Sequence, residues 1–166
     1  MSRLPVRRPI RLKDKFFVPA DLGEIEYDEI FDKMAQELQL DKEYILTEWN
    51  KLFRFREEIL PVLHKAREKA DVVLLSNAPK GVVEKLFQDN NITHLFEQMT
   101  ISSNVKMVKP SDEIYLHCVE STGKSYDEIY MIDDSPKNLE NLHNIGITPV
   151  LFESVDKLYS WVESLE

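Results

Sequence analysis

Apolar residues in this chain change their spacing near residue 70, and the change predicts two kinds of structure. Between about Tyr27 and Ala70 they recur every three or four positions, as Ile30, Met34 and Leu38 do, which predicts helices. After Ala70, short apolar runs alternate with stretches of helical spacing. The runs are Val72 to Leu75, Met99 to Ile101, Ile129 to Ile132 and Thr148 to Phe152. Such alternation predicts an α/β fold with a doubly wound parallel sheet and right-handed crossovers.

Polar residues mark where several of the predicted helices begin and end. Asp41 and Ser111 precede apolar periodic stretches as helix caps do, and Ser154 does the same for a closing helix. A helix is predicted from Glu57 to Lys69, although Pro61 leaves its first turn open, because proline suits a first turn better than an interior. The helix that starts at Ser135 is expected to stop before Gly146.

Composition and charge narrow the possible partners. The 166 residues carry a net charge of -9, which argues against nucleic-acid binding, since that needs clustered Lys and Arg. A short basic run in residues 1–15 is expected to be a solvated arm, with a nucleic-acid or acidic partner as the alternative. No run approaches the length of a membrane span. The single cysteine, Cys118, fits a reducing compartment, so a cytoplasmic protein is expected.

Chemically capable side chains follow three of the predicted strands. Ser76 and Asn77 come directly after the first strand, and Lys109 follows the second through a loop. Asp133 and Asp134 end the third, with Asn138 one helical turn later. Because parallel sheets bind ligands at the carboxyl ends of their strands, these groups are expected to converge on one crevice.

Each of these groups also has an ordinary structural explanation when taken alone. Ser76-Asn77 could be a turn, Lys109 a solvated loop lysine, and Asp133-Asp134 an acidic pair favoured by a helix dipole. Their order, each after a strand, instead favours a phosphate and metal site. The hydroxyl and amine would contact phosphoryl oxygens, and a carboxylate would hold a hard cation such as Mg²⁺.

The same stretches resemble the haloacid dehalogenase superfamily of mostly Mg²⁺-dependent phosphatases, over about Gly23 to Phe152. Val73-Leu74-Leu75-Ser76-Asn77 is similar to its second motif, Lys109-Pro110-Ser111-Asp112-Glu113-Ile114-Tyr115 to its third, and Ile132-Asp133-Asp134-Ser135-Pro136-Lys137-Asn138 to its fourth. The resemblance implies that Ser76, Asn77 and Lys109 bind phosphate and that Asp134 is the main Mg²⁺ ligand. Asp133 would be a further ligand, supported by Asn138.

The resemblance also implies a domain division. Residues 23–56 would form a helical cap that closes over the site and helps to choose a small phosphorylated substrate. Residues 57–166 would form the α/β core, and residues 1–22 a basic arm or a substitute strand. The aromatic residues of the cap could line the site or form the cap's own core, and the core is favoured; they are Phe31, Trp49, Phe53 and Phe55.

The family's first motif, a strand ending in Asp-x-Asp or Asp-x-Gly, has no clear counterpart. Its first aspartate would attack phosphorus and form an aspartyl-phosphate. Asp21, in Asp21-Leu22-Gly23, is the candidate nucleophile, although Pro19 is unfavourable in the central strand that Phe16 to Ala20 would then have to form. Asp14 is a weaker candidate. Either Ile10 to Leu12 or Phe16 to Val18 would replace the missing strand, or the sheet would have an edge there.

Three functional hypotheses follow. The chain is an active Mg²⁺-dependent phosphoester hydrolase, a catalytically silent relative that binds a phosphorylated ligand or a protein, or a truncated form of a longer active protein. A dehalogenase is a weaker option, because haloacid cleavage needs no metal and the Asp133-Asp134 pair suits one. The sequence does not indicate the substrate or the oligomeric state.

Overall fold

The computed structural model describes residues 13–52 and 55–165. Within these residues, one π-helical segment, Lys13–Phe17, leads into the first of nine α-helices, and four strands follow from residue 73 onward. The α-helices are α1 Val18–Asp21, α2 Tyr27–Leu38, α3 Lys42–Leu52, α4 Leu60–Arg67, α5 Val82–Asp89, α6 Ser102–Val105, α7 Asp112–Thr122, α8 Pro136–Leu139 and α9 Val155–Ser164. The strands are β1 Val73–Ser76, β2 Gln98–Ile101, β3 Tyr130–Asp133 and β4 Thr148–Leu151. The four short 3-10 helices are Glu57–Ile59, Thr93–Leu95, Tyr126–Glu128 and Leu142–Ile145.

The first helices pack around their own apolar core. Ile30 and Phe31 of α2 are completely buried, and Trp49 of α3 packs against the same cluster. Trp49 Nε1 donates a hydrogen bond to the Tyr27 hydroxyl at 2.8 Å, which satisfies the indole as burial requires. The interpretation of Phe31 and Trp49 as core residues is therefore confirmed. Phe55 belongs to a different core, beneath α5, and Phe53 lies outside the described residues.

Residues 16–21 also belong to this helical unit. The strand from Phe16 to Ala20 that Asp21 as nucleophile would require does not form, and the possible substitute strand from Phe16 to Val18 was wrong. Phe16 and Ala20 are four positions apart and both are buried in the core that Ile30 and Phe31 share. Pro19 lies in the first turn of α1, where its missing N–H costs nothing. The other proposed substitute strand, Ile10 to Leu12, lies outside the described residues.

All four predicted strands form, and both ladders are parallel, which confirms the α/β class. The sheet is nevertheless divided, because β1 pairs only with β2 and β3 only with β4 among the described residues. A cavity of about 650 Å³ opens between β1 and β3. We call this cavity the β1–β3 slot. Residues of both strands line it, namely Val73, Leu75, Tyr130, Met131 and Ile132.

Helices cover both faces of the two strand pairs. Helix α7 buries Ile114 and Val119 in a core shared with Leu139 and Leu142. Helices α4 and α9 pack together around a separate core formed by Val62, Leu158 and Val162. Part of the lining of the β1–β3 slot comes from these helices, so its walls are mainly apolar.

Several helix boundaries differ from expectation in ways that the backbone explains. The helix predicted from Glu57 to Lys69 begins with a 3-10 turn, and its α-helical part starts at Leu60 with Pro61 in the first turn. The helix predicted from Ser135 to Gly146 is two short pieces, and Gly146 ends the second at a φ of 86°. Among the expected caps, Asp41 and Ser154 accept N–H bonds at 3.1 and 3.2 Å. Ser111 holds the cap position but makes no side-chain bond there.

Candidate active site

The carboxyl ends of β1 and β3 meet at a single buried lysine. Lys109 Nζ donates to the Leu75 carbonyl oxygen of β1 at 3.0 Å and to Asp133 Oδ2 of β3 at 2.6 Å. The side chains of Lys109 and Asp133 are only 9% and 6% exposed. A charge-assisted contact of this length in a largely dry setting is much stronger than a surface ion pair. The lysine head thus bridges the β1–β3 slot at its carboxyl end.

Asn77 holds the lysine loop against the end of β1. Its side-chain amide donates to the Lys109 carbonyl at 3.0 Å, and its oxygen accepts the Lys109 backbone N–H at 2.8 Å. This reciprocal pair needs a side chain that both donates and accepts, as an amide does, whereas an ionised carboxylate can only accept. In the structure, Asn77 therefore positions Lys109.

Asp133 is the centre of the hydrogen-bond network. Besides Lys109, the Ser135 backbone N–H donates to Oδ1 at 2.8 Å, and the Asn138 amide donates to both carboxylate oxygens at 3.0 and 3.1 Å. Burial by itself raises the pKa of Asp133, but the Lys109 hydrogen bond and charge, with the Ser135 and Asn138 donors, lower the pKa below its ordinary value. Asp133 is therefore ionised at neutral pH, with each oxygen accepting two hydrogen bonds.

Asp134 differs from Asp133 in its exposure and in its hydrogen bonding. It lies in the bend after β3, is exposed, and borders the β1–β3 slot. Within residues 13–52 and 55–165, no hydrogen bond or ion pair involves its carboxylate. The family resemblance made Asp134 the main Mg²⁺ ligand and Asp133 a further one. In the structure Asp133, the last residue of β3, is buried, whereas Asp134 in the bend beyond it stays exposed.

Tyr115 belongs to this site, although its only predicted feature was its place in the lysine motif. Its hydroxyl donates to the Asn138 carbonyl at 2.6 Å and ties α7 to the helix behind the acidic loop. Burial is the main cause that raises the pKa of Tyr115, and the nearby Asp133 charge adds to it, so the phenol stays protonated. Another residue missed was Ser102, whose completely buried hydroxyl accepts the Ala78 N–H at 3.0 Å and shapes the loop after β1.

Ser76 and Asp21, the other predicted site residues, are placed differently. Ser76 is the last residue of β1, and its hydroxyl has no hydrogen-bond partner in the part of the chain that the structure describes. Asp21 is buried at the end of α1, which packs against α6 after β2, and it does not end a strand. Asp21 does not line the β1–β3 slot.

The oxygen donors at this site suit Mg²⁺ in type. Mg²⁺ in proteins is commonly held by one or two carboxylates, with water and substrate phosphate completing an octahedron. Asp134 offers such a carboxylate, whereas the roughly four acceptor positions of Asp133 are all used by hydrogen bonds. The described residues contain no group of three or more His, Cys, Asp or Glu side chains that could hold a metal. A cation here would depend on Asp134 together with oxygens from a ligand.

Comparison with known families identifies the family of this chain. The family model described as haloacid dehalogenase-like hydrolase matches residues 20–152, which is most of the sequence and includes every residue of the site. The chain belongs to the haloacid dehalogenase-like hydrolase family. The match therefore confirms the family that the motifs after β1, before α7 and after β3 indicate.

Solved structures of haloacid dehalogenase family members share the fold. An enzyme of the family from Bacteroides thetaiotaomicron, an aspartate-to-alanine mutant in complex with magnesium and inorganic phosphate, is 26% identical with a TM-score of 0.71, over 87% of this chain and 80% of that one. Its magnesium complex is likewise 26% identical with a TM-score of 0.71, over 90% and 86%. A predicted hydrolase of the family from Porphyromonas gingivalis is 16% identical with a TM-score of 0.71, over 95% and 89%, and shows the fold alone.

Of the helices in the described ranges, none has the length and apolar character needed to cross a membrane.

Proposed function

We propose that the site around Lys109 binds the phosphoryl group of a small phosphorylated molecule together with Mg²⁺. It would be the substrate-binding part of a phosphoester hydrolase active site. The observation that carries this proposal is the Lys109 bridge between the ends of β1 and β3. The bridge lies at the ends of the two strands that lead into Ser76 and Asp134, and neither of these side chains makes a hydrogen bond within residues 13–52 and 55–165. The magnesium and phosphate complex of the Bacteroides thetaiotaomicron enzyme supports the same chemistry.

Lys109 has the capacity to bind a phosphoryl oxygen while keeping its two protein contacts. An ammonium group has three N–H donors, and Leu75 and Asp133 take two of them. The third remains for a ligand, as does the Ser76 hydroxyl at the end of β1. Asp133 and Asn77 hold the lysine in place, so little side-chain entropy is lost when an anion binds.

Asp134 would hold the cation. When bound, Mg²⁺ would neutralise phosphoryl charge and fix its orientation. Asp133, whose oxygens are engaged, would position Lys109, and Asn138 would position Asp133. Tyr115 would hold Asn138 in position through its 2.6 Å hydrogen bond to the Asn138 carbonyl.

Hydrolysis through an aspartyl-phosphate also needs a nucleophilic carboxylate near Lys109 other than Asp133, whose oxygens already accept hydrogen bonds, and we infer that Asp21 is not that group. Asp21 is on a helix that packs against the loop after β2, and the lysine bridges β1 and β3. We therefore expect the isolated chain to bind phosphate without turning over phosphoesters. This corresponds to the phospho-ligand-binding alternative derived from the sequence.

The test is Mg²⁺-dependent binding of inorganic phosphate to the full chain by calorimetry, beside an assay with an aryl phosphate. We expect binding only with Mg²⁺, weakened about tenfold or more by Asp134→Asn, since a charge-assisted contact is worth about 1.5–3 kcal/mol. Asp127→Asn, an exposed aspartate of the Tyr126–Glu128 turn, is the matched control and should bind as wild type does.

Two results would overturn the proposal. If the affinity for phosphate is the same without Mg²⁺ and in Asp134→Asn, the proposed cation site at Asp134 is refuted. Hydrolysis that disappears in Asp21→Asn, with phosphate binding intact, would make Asp21 the nucleophile and refute its exclusion.

A further inference from the structure

The serine that follows β2 extends the contact between β1 and β2 past the ends of the two strands. The paired strands end at Ser76 and Ile101, which are opposite each other in the parallel register. Ser102 comes next and is completely buried, and its hydroxyl accepts the Ala78 N–H at 3.0 Å. The same hydroxyl donates to the Ala78 carbonyl at 3.4 Å. Ser102 therefore binds both backbone polar groups of a residue that lies beyond the end of β1.

Ala78 is next to the residue that holds the lysine loop. Asn77 exchanges two hydrogen bonds with the Lys109 backbone, at 3.0 and 2.8 Å, and the Lys109 ammonium contacts Asp133 at 2.6 Å. The Ala78 N–H belongs to the planar peptide unit that begins at Asn77, so a bond to this N–H also fixes the Asn77 backbone. The Ser102 hydroxyl is thus separated by one peptide unit from the amide that positions Lys109.

The residue after Ser102 contacts a different part of the chain, the turn between α1 and α2. Gly23 lies in this turn at a φ of 69°, and a Cβ on it would be 2.6 Å from the Ser103 carbonyl oxygen. The two backbones are therefore in direct contact. Ser102 and Ser103 both belong to α6, which is about one helical turn, so a displacement of one displaces the other. The α1–α2 turn and the loop after β1 consequently contact adjacent residues of one short helix.

We propose that Ser102 is a positioning residue for the phosphate site, and that through Ser102 the α1–α2 turn controls how firmly Lys109 is held. A displacement of the turn moves Ser102 and reorients the Ala78 peptide. The Asn77 side chain then holds the Lys109 backbone less firmly. The effect on phosphate affinity rests on the proposed function, whereas the effect on the lysine loop is measurable without a ligand.

Ser103 provides a matched control, because its hydroxyl takes no part in these contacts. The residue is 6% exposed, and its hydroxyl oxygen is buried without a hydrogen-bond partner within residues 13–52 and 55–165. Ser102 and Ser103 are adjacent and both buried, so substitution by alanine removes the same atom from each. Only Ser102→Ala removes a hydrogen bond to Ala78.

The first experiment measures amide hydrogen exchange at the Lys109 N–H in the free chain. This N–H donates to the Asn77 side chain, so its protection reports how firmly the loop is held. We expect Ser102→Ala to speed its exchange about tenfold or more, while Ser103→Ala leaves the rate unchanged. Ser102→Cys keeps the side-chain volume but accepts hydrogen bonds weakly, so it replaces Ser102→Ala if that variant does not fold.

A reference amide separates a local effect from a general loss of stability. The Thr148 N–H donates to the Ile129 carbonyl at 3.0 Å, in the other strand pair. Its exchange rate should stay close to wild type in Ser102→Ala. Equal acceleration at Lys109 and Thr148 would show that Ser102 affects only stability, and it would overturn the inference. The same conclusion would follow if Ser102→Ala and Ser103→Ala behaved alike.

The second experiment measures Mg²⁺-dependent binding of inorganic phosphate to the full chain by calorimetry. Ser102→Ala and Gly23→Ala should each weaken binding about fivefold, although neither residue would touch the phosphate. Gly123→Ala is the control for the second change, because Gly123 has the same φ of 69° and nothing within 4 Å of its added Cβ. Since the two changes act through one contact, the double variant should lose less affinity than the product of the single losses.

The outcomes distinguish this inference from the proposed function. The control by the α1–α2 turn is refuted if Gly23→Ala matches Gly123→Ala in both Lys109 exchange and phosphate affinity, or if the single losses multiply in the double variant. If wild type binds no phosphate while the Lys109 amide responds as expected, the proposed function fails and the positioning role of Ser102 stands. If phosphate binds and Ser102→Ala changes neither measurement, the proposed function stands and this inference fails.

Discussion

The ion pair between Lys109 and Asp133 offers the sharpest test of the site, through the variant Lys109→Met. The substitution keeps an unbranched chain of similar length and removes only the charge and its hydrogen bonds. Because the two side chains are 9% and 6% exposed, the variant leaves a buried carboxylate without its cation. Breaking such a pair costs about 3–5 kcal/mol. We expect about 3 kcal/mol, since Ser135 and Asn138 still donate to Asp133.

The loss should be visible in urea unfolding and in the melting temperature. In a chain of this size, each kcal/mol corresponds to about 2–4 °C, so Lys109→Met should melt about 6–12 °C below wild type. The control is Lys85→Met, which breaks the exposed pair with Asp89, 75% and 57% exposed. That change should cost about 0.5 kcal/mol or less.

The pH dependence gives the loss a specific signature. The pKa of Asp133 is lowered in the folded chain, so the pair contributes stability above the ordinary carboxyl pKa and loses it as pH falls through the lowered value. The difference between wild type and Lys109→Met should therefore shrink below about pH 4. A difference under about 1 kcal/mol at pH 7 would refute a buried, ionised pair, as would one that does not change with pH.

Three further predictions concern the supports of the site and fold. Gly23→Ala should destabilise more than Gly81→Ala, as measured by urea unfolding. Both have positive φ, 69° and 79°, but a Cβ at Gly23 would lie 2.6 Å from the Ser103 carbonyl oxygen, and Gly81 has open space. Gly81→Ala should cost about 1–2 kcal/mol and Gly23→Ala at least about 1 kcal/mol more, and equal costs would contradict the packing. Tyr115→Phe should cost about 1–3 kcal/mol by leaving the Asn138 carbonyl unpaired, while a loss near zero would mean that water replaces the phenol. Ser154→Ala should cost about 1 kcal/mol by removing the α9 cap, with the exposed Ser160→Ala of the same helix near zero, and similar values would argue against capping.

Strand and helix types were largely predictable because they depend on local spacing. The four apolar runs became β1 to β4 with shifts of one residue or so at their ends. The stretch from Phe16 to Ala20 was the exception. Its apolar residues suit a strand or a helix equally, and the choice was made by Pro19 and by the contact of Phe16 and Ala20 with α2. A short apolar run contains no information about which partner will cover it.

The site could be predicted as a set of residues but not as an arrangement. Motif order indicated that Ser76, Lys109 and Asp133 would converge, because parallel strands bring their carboxyl ends together. It did not indicate that Asp133 would be saturated by donors while Asp134 stays outside. Adjacent side chains along an extended backbone point in opposite directions, and which of the two points inward depends on how the strand packs. Tyr115 was not assigned a role because its contact with Asn138 joins residues from two separate helices.

The sequence by itself determined the family and the alternation of strands and helices, and it showed no clear counterpart of the family's first motif. These follow from residue types, their periodicity and their order along the chain. Only the tertiary structure decided what that absence does to the sheet. Strand pairing is a contact between distant segments, so only the fold could show that β1 and β3 stay apart and that no other described strand pairs between them. The Lys109 side chain bonds to both strands at their carboxyl ends.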